Sequence, residues 1–322
     1  MAVMQGRPSA DAVAVVERLL VDHAPIEVVA SLADHYDEVT RAAVADAQAD
    51  LGPAPVPFAW VALGSHARRE PSLSSDQDNA LVLADDSPQA AEYGRLLATR
   101  VVDALHAAGL RRCDGDYMAT TWAFSLHRWE ETLRGRFLDP TPQEIVDADV
   151  FLDLRPVAGT LDVAPLQQIM LGAAGSSRLL HGLARAAVAF PSGLTSLGRL
   201  RLVDGAVDVK KGGLAPLTML ARTYALAAGS TAVGTRDRLE AAEHAGQLSA
   251  RSVGRLAYAH ALLTRLRLRH QLRCAQEGAP ITDVVPVNRL RQVDESGLKQ
   301  ALESLKSVQQ ATSLRFRTDL SS

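Results

Sequence analysis

The stretch WVALGSHARREPSLSSDQDNALVLAD, residues 60–85, decides how this chain reads. Four apolar residues stop at Gly64-Ser65, an arginine-bearing polar segment follows, and Asp76 and Asp78 then open a second apolar run. Side chains alternate along an extended chain, so the two aspartates share a face and Gln77 points away. Two carboxylates that close repel each other unless a cation lies between them. Mg²⁺ takes oxygen ligands, often one or two carboxylates completed by substrate phosphates. Sites that move phosphoryl groups with two metals hold the ions roughly 3.5–4 Å apart. Glycine lets backbone approach a phosphate, and serine offers a hydroxyl donor. The bland alternative is a turn aspartate followed by a surface one. The compound pattern favours a phosphate site.

Working outward, FAWVAL (58–63) and NALVLAD (79–85) read as buried strands, separated from an N-terminal helical region (8–50) by the proline-rich break LGPAPVP. Residues 88–108 read as a helix, and CDGDYMATT (113–121) as a loop. Residues 122–137 read as an amphipathic helix with Trp122, Leu126, Trp129 and Leu133 on its apolar face, both tryptophans as core. DVFLDLRPV (149–157) reads as a strand with Asp153 in its middle. An acid amid apolar residues is costly to bury without a partner, so Asp153 is the candidate third metal-binding carboxylate, with Asp114 and Asp116 as rivals. Helices are expected at about 161–171, 176–190, 215–229, 235–247, 249–277 and 294–318, with a hairpin over 198–213 turning at Asp204-Gly205. The division is a helical segment (1–55), a mixed strand-helix unit (56–160) and an all-helical unit (161–322). The fold class is α+β.

The chain has 322 residues, 47% apolar, with net charge −3, which argues against a protein that coats nucleic acid. Two distant cysteines, Cys113 and Cys274, give neither zinc spacing nor a disulfide framework, and Cys113 has no basic neighbour to make it a thiolate. No signal peptide or long apolar span is evident, so a soluble cytoplasmic protein without membrane contact is expected. Nothing in the sequence speaks to oligomeric state. Lys210-Lys211-Gly212-Gly213 precedes a helix and could hold phosphate through its amides and an ammonium. Arg265, Arg269 and Arg273 share one helix face, either a solvated face paired with acids or a wall over a nucleotide cleft. His66 reads as an incidental exposed loop residue.

At Leu63-Gly64-Ser65 and Asp76-x-Asp78 the sequence resembles the DNA polymerase β-type nucleotidyltransferase superfamily. GSHARREPSLSSDQDNAL is similar to a motif of a bacterial nucleotidyltransferase family related to protein-PII uridylyltransferase. MATTW…SLHRW, FLDLRPVAG, DVKKGGLAPL, ARTYAL, Thr235-x-x-Arg238-Leu239 and LRLRHQL resemble further segments of that family, the last four in its helical substrate-binding domain. The resemblance implies a polymerase β-like catalytic domain followed by that helical domain. It implies that Asp76, Asp78 and Asp153 hold Mg²⁺, two ions in all, that Gly64 and Ser65 cradle a nucleoside triphosphate, and that Arg68 and Glu70 carry an R-x-E element. With it, Lys210 and Lys211 move towards phosphate contact. The implied activity is transfer of a nucleoside monophosphate from a nucleoside triphosphate to a hydroxyl, uridylyl- or adenylyl-like, with a signalling protein as the expected acceptor and Asp153 near the nucleophile as its base. The alternative is a nucleotide-sensing or protein-binding module without catalysis. Two departures stand out. Ala67 replaces the family's usual glycine, and acidic N-terminal helices (nine acids, three arginines in residues 1–50) stand where cyclic-nucleotide-binding and CBS regulatory domains are usual.

Overall fold

The two apolar runs flanking the Gly-Ser turn become neighbouring strands. In the computed structural model, which describes residues 7–318 apart from 139, 192 and 196, β1 (Phe58–Leu63) pairs antiparallel with the strand at Asn79–Leu83, Phe58 opposite Leu83 and Ala62 opposite Asn79. Between them lie a one-turn helix and the short β2 (Asp76–Gln77), so Asn79–Leu83 is β3. A parallel strand, β5 (Ala123–Ser125), flanks β3. The antiparallel β6 (Leu154–Gly159) flanks β1, giving the order β5-β3-β1-β6. The short β4 (Arg111–Arg112) pairs with β2 outside this sheet.

Both faces of the sheet are covered, which is why β1 and β3 read as unbroken apolar runs. Phe58, Trp60, Leu81 and Leu83 face a core built by α1 (Ala10–Leu19), α2 (Pro25–Leu51) and, after the one-turn α3 (Gly64–Ala67), α4 (Pro88–Ala107). Pro25 occupies the first turn of α2, where its missing N–H costs nothing and its fixed φ suits a helix start. Ala59, Val61, Leu63, Ala80 and Val82 face the other core, with α5 (Leu126–Leu138), α6 (Pro142–Phe151), α7 (Ala164–Gly172) and α8 (Ser177–Ala189). Trp129 of α5 is fully buried there, its indole N–H donating to the Leu81 carbonyl at 3.0 Å. Burying side chains of this size contributes roughly 1.5–3 kcal/mol each.

The third core belongs to the helical half: α9 (Ala215–Ala227), α10 (Thr235–His244), α11 (Ala250–Gln276) and α12 (Gln292–Phe316). Packing runs across residue 160. Helix α8 gives Leu179 and Leu183 to the sheet's second core and Ala187 to the helical one, while Leu268 of α11 enters the core over α2 and α4. The fold is α+β with a helical C-terminal region. Among the described residues no helix is long and apolar enough to cross a membrane.

Three expectations are corrected. Residues 149–157 are not one strand: α6 runs to Phe151, and Asp153 sits in the bend before β6. Residues 122–125 leave the expected helix to form β5, which completes the sheet beside β3. The turn at Asp204-Gly205 exists, both residues having positive φ, but the hairpin stops at the Val203–Ala206 bridge. β7 (Ala206–Asp208) instead pairs with β8 (Val284–Pro286).

Candidate active site

The turn after β1 closes directly over Asp78. Gly64 has φ +55°, and a Cβ there would lie 2.9 Å from Asp78 Oδ2, so the turn requires glycine on both counts. The Leu63 N–H donates to the Asp78 carbonyl at 2.9 Å. Gln77 turns inward, its amide donating to the Val102 and Leu110 carbonyls, which leaves Asp76 and Asp78 on the opposite side. There both line a cleft of about 270 Å³ together with Gly64, Ser65 and Ser75. The helical half closes the cleft with Lys210, Thr218, Arg222, His260, Thr264 and Arg267. Ala67 needs no glycine: it sits in α3, and the left-handed position is Arg69, at φ 60°.

The aspartate pair is crowded and partly desolvated. Burial pushes Asp78 up to about 6, with the neighbouring Asp76 adding to the rise and the Cys113 thiol opposing it by donating a hydrogen bond. Burial also raises Asp76, against the pull of Arg111 at 2.5 Å. Asp76 Oδ1 is buried with no hydrogen-bond partner of good geometry. Such a pair suits one hard divalent cation completed by phosphate oxygens.

Asp153 lines the same cleft. Its carboxylate is fully buried and bound by three guanidinium groups: Arg68, Arg222 (Nη2 at 2.5 Å) and Arg238 (Nη1 at 2.6 Å). Burial alone would raise its pKa, but Arg222, Arg238 and Arg68 together outweigh burial and hold it well below the usual carboxylate range. Both oxygens pair with guanidinium groups. Asp76, Asp78 and Asp153 thus line one cleft, with Asp153 paired to arginine. Among the described residues no three His, Cys, Asp or Glu side chains gather closely enough to hold a metal ion. Asp114 and Asp116 do not replace it: both are exposed and outside the cleft lining, Asp116 accepting from Thr121 Oγ1.

Two family models match the chain. One, described as "Putative nucleotidyltransferase DUF294", matches residues 11–143. The other, described as "Putative nucleotidyltransferase substrate binding domain", matches residues 177–316. The chain belongs to this nucleotidyltransferase family. No curated protein matches it significantly. The first match begins within α1, so the N-terminal helices belong to the matched nucleotidyltransferase segment.

In this nucleotidyltransferase the two matched segments meet in a buried charge network. Arg68 Nε donates to Glu70 at 3.0 Å, and Glu70 accepts from the Thr235 N–H (2.8 Å) and hydroxyl (2.9 Å) at the start of α10. Burial would raise Glu70, but His260, Arg68 and Thr235 lower it. Arg68 and Glu70 line the cleft, yet their charges are committed to Asp153 and α10 rather than left for a phosphate. Of the two lysines, only Lys210 lines the cleft; its ammonium forms no ion pair among the described residues. The amides of Lys210 and Lys211 both donate to Asp208 Oδ1, so they are not available to a phosphate. The intervening turn is a single π-helical one, closed by Leu214 N–H to the Val209 carbonyl.

The arginine stripe is not a cleft wall either. Arg265 and Arg269 turn towards Asp294 of α12, and the arginine of α11 that reaches the cleft is Arg267, bound to Asp283 at 2.6 Å. His66 is buried against Tyr36, ring centroids 5.1 Å apart, rather than exposed. Sequence reasoning missed Asp149, which lines the cleft at the end of α6 and pairs with Arg222. It also missed Arg222 as a site residue, although a lone arginine within the apolar ARTYAL run of α9 was a readable sign of a buried partner.

Proposed function

We propose that the chain transfers a nucleoside monophosphate from a nucleoside triphosphate to a hydroxyl, with the triphosphate seated in the cleft between the sheet and α9–α11. The observation that carries this is the Asp76–Asp78 pair, charged, partly desolvated and facing the same cleft as Gly64, Ser65 and Lys210. Asp76 and Asp78 would hold Mg²⁺, which when bound neutralises triphosphate charge and lowers the pKa of the attacking hydroxyl. Lys210 would meet the phosphates as a point charge, and Ser65 would donate from the turn. The hydroxyl oxygen forms a bond to the α-phosphorus, the bond to the β-phosphate oxygen breaks, and pyrophosphate leaves.

The hydroxyl's proton needs an acceptor on this chain. Asp153 is held as a carboxylate by its three arginines. Asp149 suits the role: it lines the cleft, and burial and Asp153 raise its pKa against the pull of Arg222. By the family resemblance the acceptor is a protein side chain and the donor a uridylyl or adenylyl group, as part of bacterial signalling in the cytoplasm.

The commitment of Asp153 to arginine favours a second reading, a nucleotide-sensing module that binds without transfer. Calorimetry with Mg²⁺ and each of ATP, UTP, CTP and GTP, followed by a pyrophosphate-release assay, tests both. Divalent-dependent binding lost in Asp76→Asn/Asp78→Asn, with release abolished in Asp149→Asn while binding persists, supports transfer. Binding without release under any acceptor supplied leaves the sensor, and no binding of any triphosphate removes both.

A further inference from the structure

A second concavity, of about 280 Å³, lies on a different face of α11 from the cleft. Four arginines line it: Arg269 and Arg273 from α11, Arg289 and Arg291 from the segment between β8 and α12. Its one acidic side chain is Asp294, already shared among Arg265 (3.0 Å), Arg291 (2.8 Å) and Arg269 (3.7 Å). Arg289 shares Glu277 at 3.3 Å. Arg273 is exposed and forms no ion pair among the described residues. Burial, and then the crowding of Arg265 and Arg291, hold Arg269 below the usual arginine range. The positive charge gathered here is thus larger than the chain's own carboxylates satisfy, in a molecule whose net charge is −3.

The floor is apolar, made by Leu266, Val285 and Leu290. Guanidinium groups from two chain segments over an apolar floor match a ligand with a compact multiply charged head and a carbon-rich body. Arginine forks bind phosphate oxygens bidentately, which a solvated lysine patch would not do. At about 280 Å³ the concavity is too small to follow a nucleic-acid strand. We propose that this concavity is a binding site for a small organic phosphate bearing a dianionic head, separate from the nucleotide cleft. Asp283, next to β8, accepts from Arg267 of the cleft lining and from Ser74 (3.3 Å).

The test is calorimetric titration of the full chain, without divalent cation, with phenyl phosphate and with inorganic phosphate. Wild type, Lys210→Gln, Arg273→Gln and Arg269→Gln/Arg273→Gln are compared. Expected is one saturable site per chain, with phenyl phosphate about tenfold tighter than inorganic phosphate. Affinity should weaken about tenfold in Arg273→Gln and more in the double variant, and stay unchanged in Lys210→Gln. Arg273 contributes no ion pair, so its variant should keep the wild-type melting temperature, which separates lost binding from lost fold. Absence of saturable binding, loss of binding in Lys210→Gln, or equal affinity in the arginine variants would overturn the site. Equal affinity for the two probes would overturn its organic character.

Discussion

Arg222 Nη2 lies 2.5 Å from Asp153 Oδ2, and both side chains are almost wholly buried. One comes from the helical half and the other from the edge of the sheet, so a charge pair that sequence would assign to metal chemistry instead joins the two halves. Breaking a buried pair from one side leaves the other charge uncompensated. Asp153→Ala should therefore lower unfolding free energy by about 3–5 kcal/mol, because three guanidinium groups lose their shared anion. Urea denaturation measures it. A variant as stable as wild type that has lost only divalent binding would restore Asp153 to the metal set.

Asp78→Asn should behave in the opposite way. Without a divalent cation the wild-type pair is two crowded, partly desolvated carboxylates. Removing one charge relieves that repulsion, so the variant should melt at the same temperature as wild type or higher in chelator. It should also lose the stabilisation that Mg²⁺ with triphosphate gives wild type. Differential scanning fluorimetry with and without both ligands reads the two effects together, and destabilisation in chelator would contradict the charge account.

Lys210→Gln and Lys211→Gln should separate. The Lys210 ammonium lines the cleft, and the Lys211 side chain does not. Loss of one phosphate contact should weaken triphosphate binding about tenfold in the first, within the range of a charge-assisted hydrogen bond, and leave the second unchanged. Equal losses would point to general attraction by basic charge.

His66 gives the fold an acid sensitivity. Burial, the largest influence, with Arg155 and Arg68, lowers it from 6.5 to about 4, although Asp37 pulls the other way. Its Nε2 is buried without a hydrogen-bond partner. Between these two values the unfolded chain binds a proton that the folded chain refuses. Stability from this group is complete above pH 6.5 and is lost as pH falls towards 4, by up to roughly 3 kcal/mol. His66→Gln should flatten that part of the stability-versus-pH curve. An unchanged slope would assign the acid sensitivity to other groups.

Much of this fold is legible from sequence where a single face or period decides the matter. β1 and β3 are apolar on both faces because both faces are covered, and α9 to α12 keep their amphipathic period to within a few residues of their ends. Asp76, Asp78, Gly64 and Ser65 are legible because one turn brings them together locally. Asp153 is not, because VFLDL reads equally as the end of a buried helix or the start of a buried strand. What decides its role are guanidinium groups 69 and 85 residues away. The hairpin misleads for a related reason: the turn at Asp204-Gly205 is local and correct, but β7 finds its partner in β8, beyond three intervening helices. His66 reads in the sequence as an exposed loop residue but lies buried in α3, since Tyr36 of α2 covers it from another part of the chain.

Helix α8 divides its side chains between two cores, and Leu268 of α11 seals a third beneath the N-terminal helices. The two halves are thus not beads on a string that shuffling could recombine freely. A gene fragment ending near residue 160 would encode a sheet whose second cover lacks α7 and α8 and a carboxylate stranded among too few cations. Any lineage that inherits the sheet must inherit the helices with it, and divergence between relatives has to come from changes within this shared packing rather than from exchange of the helical half.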